Sequence, residues 1–336
     1  MKILTIAVPA YNMARWLPRC LDSMNDMRLG SMLEVIVVDD GSADDTLAIA
    51  RRYEQRNPDI FRVVTQPNGG HGAAVNTGIR LAEGRYFRIV DADDWVNTDA
   101  LCALIRRMQD SDCDLFVDEK TEINVTTKAV RRYPMPEDAK FGVEQGFSAV
   151  TQPEYDMALS MHTMSVRTQL LRDMDLRLLE HTFYVDMQYV IGVSAFAQTV
   201  CLMRERVYNY QVGDANQSVS AMNYVRRYDQ HDRVLAECID FCFSNEQKMP
   251  RGRIVYLQHL LALLARSQLK IALLYDPDRP QGRRRANALR KVLMDSYPDI
   301  WDETRSRYVS AMALNRLGLG ERFLRALQNI RGRRQG

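Results

Sequence analysis

A chain of 336 residues, 46% hydrophobic and 26% charged, carries enough apolar material for one large domain or two ordinary ones, with the balance of a globular protein. No apolar run reaches the ~18 residues that span a bilayer, and the opening MKILTIAVPAYN sets Pro9 and polar residues where a secretion signal needs its apolar core. With six cysteines (Cys20, Cys102, Cys113, Cys201, Cys238, Cys242) and no C-x-x-C pair, the expectation is a cytoplasmic protein in a reducing compartment.

The first third alternates short apolar runs with helical patterns. Ile3 to Val8, Leu33 to Asp39, Phe61 to Thr65 and Arg85 to Asp91 read as buried parallel strands, too apolar for a half-exposed sheet. Between them ARWLPRCLDSMNDM, ADDTLAIARRYEQR and HGAAVNTGIRLAEG place apolar residues at helical spacing; Asp44 or Asp45 caps the second and Gly84 ends the third. The pattern predicts an α/β fold with a Rossmann-like, doubly wound, mostly parallel sheet. Its ligand crevice then lies outside the carboxyl ends of the strands, where Asp39, Asp40, Asn68 and Asp91 to Asp94 fall.

The middle is mixed, with strands in DLFVDEKTEINVTTKAVRRYPM, a strand leading to a helix in HTMSVRTQLLRDM, a helix in YVDMQYVIGVSAFA and an extended CLMRERVYNYQV. From about Ala221 the pattern is helical, broken at Pro250, YDPDRPQG and Pro298. Cys238 and Cys242, one helical turn apart, read as packed thiols. From Arg279 onward 14 Lys/Arg stand against 5 Asp/Glu, although the whole chain carries only +2. A solvated helical face and an attraction to anionic lipid headgroups both account for this surplus; nucleic acid ranks low because no aromatic residues interleave with the charges.

The densest chemistry is RIVDADDW, where three carboxylates within four positions repel one another unless a cation or hydrogen-bond donors offset them. A competing reading has Asp94 or Asp99 cap the next helix. No G-x-G-x-x-G turn follows the first strand and no phosphate-loop motif occurs, so neither a redox dinucleotide nor ATP hydrolysis has support. A phosphatase using an aspartate pair would carry it after the first strand, and a nucleotidyltransferase would show a Gly-rich turn where VPAYN stands.

Taken in order, TIAVPAYN, EVIVVDDGSADDT, QPNGGHGAAVNTGIRLAEGRYF, IVDADDWV and FYVDMQYV resemble the inverting family-2 glycosyltransferases of the GT-A fold, of the bacterial cell-wall and capsule polysaccharide type. The resemblance is dense over residues 1 to 96 and has no specific element beyond Ser220. It implies a nucleotide-sugar-binding half (1–111) and an acceptor and catalytic half (112–219), after which the helical pattern and the charge surplus set off a helical basic C-terminal region (220–336). It also implies Mn²⁺ or Mg²⁺ held by Asp93 with help from Asp94, and Asp91 near the ribose. Pro9, Tyr11, Asp39, Asp40 and Asn68 then surround the base, and a carboxylate accepting an imide N–H favours UDP. Gln217 and Ser218 fall in a loop over the diphosphate. His71 meets phosphate or lies in a plain turn, and His162 lines the acceptor cleft or is structural.

Asp186 takes the place of the family's catalytic base, a buried carboxylate beside Tyr184, Tyr189 and Val190. Two departures stand out: Val75 where an arginine is common, and Val185 where a glutamate precedes the base. The implied activity is metal-dependent inverting transfer of a hexosyl or N-acetylhexosaminyl group from a UDP-sugar to a glycan or lipid-linked acceptor in surface polysaccharide synthesis. The alternative is an inactive, glycosyltransferase-like binding subunit. The C-terminal helices are expected to rest on the inner face of the membrane or to pair with a second copy.

Overall fold

The computed structural model describes residues 2–213 and 221–320. The chain forms two compact units, 1–214 and 215–336. In the first, the elements run β1 (Leu4–Ala10), α1 (Leu17–Asp22), β2 (Leu33–Asp39), α2 (Thr46–Arg56), β3 (Phe61–Thr65), α3 (His71–Leu81), β4 (Tyr86–Ile89), β5 (Trp95–Val96) and α4 (Thr98–Gln109). They continue with β6 (Leu115–Asn124), β7 (Val130–Tyr133), β8 (Glu144–Gly146), β9 (Met164–Arg167), α5 (Thr168–Asp173), α6 (Asp186–Phe196) and β10 (Thr199–Val212).

One sheet holds all these strands in the order β3-β2-β1-β4-β9-β6-β10-β5, with β7 on β6 and β8 on β10. β3, β2, β1 and β4 are mutually parallel, and β6 pairs in parallel with β10; β9 runs antiparallel between β4 and β6. The first four strands are apolar throughout because both faces are covered. Val35 and Val37 join the large core with Leu17, Leu21, Leu101 and Ile105, while Ile36 and Val38 pack with Ala74 of α3 on the other side. Each such aliphatic side chain removed from water stabilises the fold by ~1.5–3 kcal/mol. Because β2 and β4 flank β1 on opposite sides, the winding reverses at β1, and the crevice beyond β1 and β4 is the switch point of the sheet.

Local details depart from the expected boundaries for physical reasons. β1 continues through Pro9 to Ala10, because its ladder with β4 ends at Ala7 and no partner there needs the N–H that proline lacks. The third helix stops at Leu81, before Gly84. Gly84 serves a close approach instead: its N–H donates to Thr5 Oγ1 at 2.8 Å, and a Cβ there would stand 2.4 Å from Thr5 N. Asp45 makes no side-chain cap bond, whereas Asp44 accepts from Thr46 N and Ala14 N. The first predicted helix is only the six residues of α1.

The second unit is helical: α7 (Ala221–Arg226), α8 (Tyr228–Ser244), α9 (Arg251–Lys270), α10 (Arg279–Ser296) and α11 (Pro298–Arg316), with a π-helical turn over Ile271–Tyr275. Val234, Leu235, Cys238 and Cys242 of α8 are buried, as are Leu257, Leu260, Leu261 and Leu264 of α9, and α9 also packs on α11. No helix among the described residues is long and apolar enough to cross a membrane.

Candidate active site

The loops leaving β1, β2, β3 and β4 converge at the switch point. After β1, Tyr11 is 48% exposed, while Asn12 at φ 55° ties this loop to the next through its N–H to Ser42 Oγ and its Oδ1 accepting from Ala43 N. Pro9 itself is buried in the strand. At the end of β2, Asp39 accepts from Thr65 Oγ1 at 3.1 Å, with a long contact from Ser42 N at 3.4 Å, so its acceptor capacity is only partly used. Asp40 is occupied differently. Its Oδ1 accepts from Gln66 Nε2 and Gly69 N and its Oδ2 from Gly70 N, while its carbonyl accepts from Asn68 Nδ2. Asp40 and Asn68 therefore shape the 66–70 turn rather than offer free groups to a base.

That turn explains its glycines. Gly70 lies at φ +85°, and a Cβ on Gly72 would stand 2.3 Å from the carbonyl oxygen of Leu179. The segment 178–182 thus lies directly on the turn, its backbone pinned by His181 N donating to Gly69 O and by Asn76 pairing in both directions with Leu178. This segment leads to Asp186, the first residue of α6. Asp186 is exposed, a correction to the expected burial beside Tyr189 and Val190, which instead belong to the all-round buried faces of α6. Val185 is buried, and so is Val75, which packs within α3 and offers nothing to a donor.

After β4, Asp91, Asp93 and Asp94 bring ligand atoms within 4.8 Å of one another. The helix cap that competed for these acids goes to Asn97, whose side chain accepts from Ala100 N. His71 Nε2 lies 2.9 Å from Asp91 Oδ1. Burial opposes the charge on His71, but Asp91 prevails and holds the imidazole above its usual pKa. Burial likewise works against ionised Asp91, yet His71 draws it down to about 2. Asp93 has no such partner: burial and the neighbouring Asp91 charge push it up to about 6.

Asp94 is 1% exposed, and both its oxygens are taken, Oδ2 by Tyr208 OH at 2.5 Å and Oδ1 by Gln211 N at 2.6 Å. Tyr208 OH also accepts from Asp91 N at 3.2 Å. Arg19 closes this network, stacking 3.7 Å over Trp95 and donating to the Asp93 carbonyl and to Gln211 Oε1. The geometry gives Asp94 the task of anchoring the end of β10 to the acidic loop, which leaves Asp93 and Asp91 as the carboxylates facing the crevice. An excess of negative charge on Asp93, without a cationic side chain on its carboxylate, fits a hard divalent cation.

His162 stacks on Tyr208 (4.8 Å) and Tyr210 (5.6 Å), with Nδ1 4.0 Å from Asp91 Oδ2. Its carbonyl is held by Arg88, which is fully buried in a bidentate pair with Asp118 and also donates to Ser165 Oγ. The charge of Asp186 reaches both His71 and His162, which sets the base candidate on the side of the acidic loop. Sequence reasoning missed Arg19, Arg88, Asp118, Tyr208 and Gln211. A lone arginine inside the apolar run YFRIV was the available signal for Arg88. Gln217 and Ser218 lie outside the described residues.

The fold and the acidic crevice define a GT-A-type protein. It resembles Staphylococcus aureus TarS 1–349 in complex with UDP-GlcNAc, with TM-score 0.57, 19% identity and coverage of 95% of this chain and 93% of that one. It also resembles the mannosyltransferase PcManGT of Pyrobaculum calidifontis in complex with GDP-Man and Mn²⁺, with TM-score 0.55, 17% identity and coverage of 93% and 86%. Residues 5–167, just under half of the chain, match the model of glycosyl transferase family 2. Among curated relatives it is 38% identical over 99 residues to the chondroitin synthase of Escherichia coli, 30% of this chain and 14% of that protein. It is 29% identical over 242 residues to the uncharacterized glycosyltransferase EpsJ of Bacillus subtilis, 68% of this chain and 66% of that protein. The chain thus spans less than two thirds of either relative.

Proposed function

We propose that the protein is an inverting glycosyltransferase that moves a hexosyl or N-acetylhexosaminyl group from a UDP-sugar to a hydroxyl of a glycan or lipid-linked acceptor, with Mn²⁺ or Mg²⁺ as cofactor. The observation that carries this reading is the Asp91–Asp93 pair at the switch point, with the charge of Asp186 reaching His71 beside it. The UDP-GlcNAc complex of TarS and the GDP-Man and Mn²⁺ complex of PcManGT support a nucleotide-sugar donor and a divalent cation. The chondroitin synthase and EpsJ likenesses support surface polysaccharide as the product.

In this reading exposed Tyr11 stacks on the base, and Asp39, with acceptor capacity to spare, takes the imide N–H of uracil. Asp93, with Asp91, would hold the cation, which when bound supplies positive charge to the departing diphosphate. His71, whose protonated form Asp91 favours, faces the same phosphate region. Asp186 receives the proton of the acceptor hydroxyl while that oxygen bonds to the anomeric carbon from the face opposite UDP; the anomeric C–O bond to UDP breaks and the configuration inverts. Asp94, Tyr208, Gln211 and Arg19 keep the acidic loop in place.

The test is UDP release by purified protein across a panel of UDP-sugars, with Mn²⁺ and with EDTA, following slow donor hydrolysis so that no acceptor is required. Release from one preferred donor that EDTA abolishes is expected. UDP binding without release from any donor, even with added glycan acceptors, would instead indicate an inactive binding subunit.

A further inference from the structure

Lys120, on β6, is a cation that the crevice leaves without an ion pair. Its Nζ makes one long hydrogen bond, to Ser160 Oγ at 3.3 Å, and lies 5.6 Å from the centre of the Tyr133 ring. Asp186, Glu122 and Asp94 act on it through space, but none is among its ion pairs within the described residues. An ammonium carries three N–H donors, and a mostly buried one with a single hydroxyl partner is costly unless an anion arrives to take the others. A second polar group nearby has no hydrogen bond, although the Asp91 carboxylate stands 4.0 Å from it. The Nδ1 of His162 is buried without a hydrogen-bond partner, and the charge of Lys120 reaches it.

The surroundings suit a sugar. Lys120 stands in register with Tyr133 on one neighbouring strand and with the fully buried Tyr208 on the other, and the partly exposed rings are Tyr133 and Tyr210, the latter stacked on His162. Aromatic rings offer flat apolar faces to the C–H side of a pyranose, while the ammonium and the imidazole nitrogen supply polar anchoring between them. The diphosphate of a donor is already provided for by His71 and the Asp91–Asp93 pair. After burial, the charge that acts most on Lys120 is that of Asp186, the group assigned to the acceptor hydroxyl.

We propose that Lys120 and His162 Nδ1 form an acceptor subsite for an anionic group, a carboxylate or phosphate carried by the acceptor glycan. This rests on the glycosyltransferase reading above and narrows its acceptor to an acidic one. Lys120 is a positioning residue here, holding the acceptor so that its hydroxyl meets Asp186.

The experiment is calorimetric titration, in the presence of UDP and Mn²⁺, of two probe pairs: p-nitrophenyl β-glucuronide against p-nitrophenyl β-glucoside, and glucose 6-phosphate against glucose. Wild type, Lys120→Met, Lys120→Gln and Lys120→Arg are compared, with UDP affinity measured first on each as the check of an intact fold. At least one acidic probe is expected to bind wild type about tenfold tighter than its neutral counterpart, the scale of a charge-assisted hydrogen bond. The pair that shows it tells carboxylate from phosphate. That preference should shrink to about twofold or less in Lys120→Met and Lys120→Gln and return in Lys120→Arg, with UDP affinity unchanged in all. Absence of an acid preference in wild type, including no binding of any probe, overturns the proposal. So does a preference that survives Lys120→Met, or a UDP affinity that falls with it, which would give Lys120 to the donor diphosphate. Failure of wild type to bind UDP would count against the glycosyltransferase reading alone, since a Lys120-dependent acid preference would still stand.

Discussion

Asp186 and Asp93 are the two carboxylates whose surroundings differ most from a symmetrical acid pair. Asp186 stands in solvent at the first turn of α6, where an acceptor hydroxyl approaches it without displacing protein. Asp186→Asn keeps the shape and removes the base, so turnover should fall by roughly 10²- to 10⁴-fold while UDP affinity with Mn²⁺ stays at the wild-type value. Steady-state kinetics beside calorimetry checks this; unchanged turnover would take Asp186 out of the role. Asp93 is pushed up to about 6 by burial and by Asp91, so protons and the cation compete for it near neutral pH. The sign follows from the species that binds metal, the ionised carboxylate. Mn²⁺ affinity should be level above pH ~7 and fall toward ~10-fold per unit below pH ~6, where Asp93 becomes protonated. Titrating Mn²⁺ into the UDP complex from pH 5 to 8 measures it, and a flat profile would remove Asp93 from the cation.

At the scale of elements, the acids were legible because RIVDADDW and VVDD place them consecutively at strand ends, and an apolar strand announces itself in its own residues. Their supports come from far along the chain. Tyr208 and Gln211 reach Asp94 from β10, more than a hundred positions away, and Arg19 arrives from α1. Nothing in CLMRERVYNYQV marks which tyrosine faces the acidic loop, because register shifts between Leu202 and Tyr208 re-aim the strand. Arg88 shows the same limit from the other side, since a fully buried charge in β4 makes sense only once Asp118 of β6 lies beside it. The glycine turn is a case where a motif was legible and its cause was not. NGGHG reads as a glycine-rich turn, with His71 either meeting phosphate or in a plain turn, whereas Gly72 is required by the backbone of Leu179 lying against it. Gly72→Ala should therefore displace the 178–182 segment and, with it, Asp186. The expected outcome is a loss of about 1–3 kcal/mol in urea unfolding, from overpacking, and a fall in kcat larger than any change in UDP affinity. Equal losses in kcat and UDP affinity would mean that the turn serves the donor instead.

For the whole molecule, the open matter is what the basic C-terminal unit does with its charge. Three cations of α10 are already used within the unit. Arg279 donates to the carbonyls of Leu273 and Leu319, Arg283 to Asn315 Oδ1, and Arg285 meets Asp276 and stacks over Tyr228. Arg284, Arg290 and Lys291 of α10 and Arg305, Arg307 and Arg316 of α11 remain exposed, each worth ~1 kcal/mol near an anionic surface. A further surplus lies in the sequence after residue 320, where Arg322, Arg325, Arg331, Arg333 and Arg334 stand against Glu321 alone. A membrane role thus makes a graded demand: the full chain should sediment with vesicles containing phosphatidylserine and not with neutral ones, and a chain ending at residue 320 should partition on the order of 10²-fold less. Raising salt to ~1 M, where the screening length shrinks to ~3 Å, should release the full chain. Equal partitioning of the two chains would assign any lipid contact to α10 and α11, and no binding by either would make the basic face a solvated one, leaving a soluble acceptor as the partner to seek.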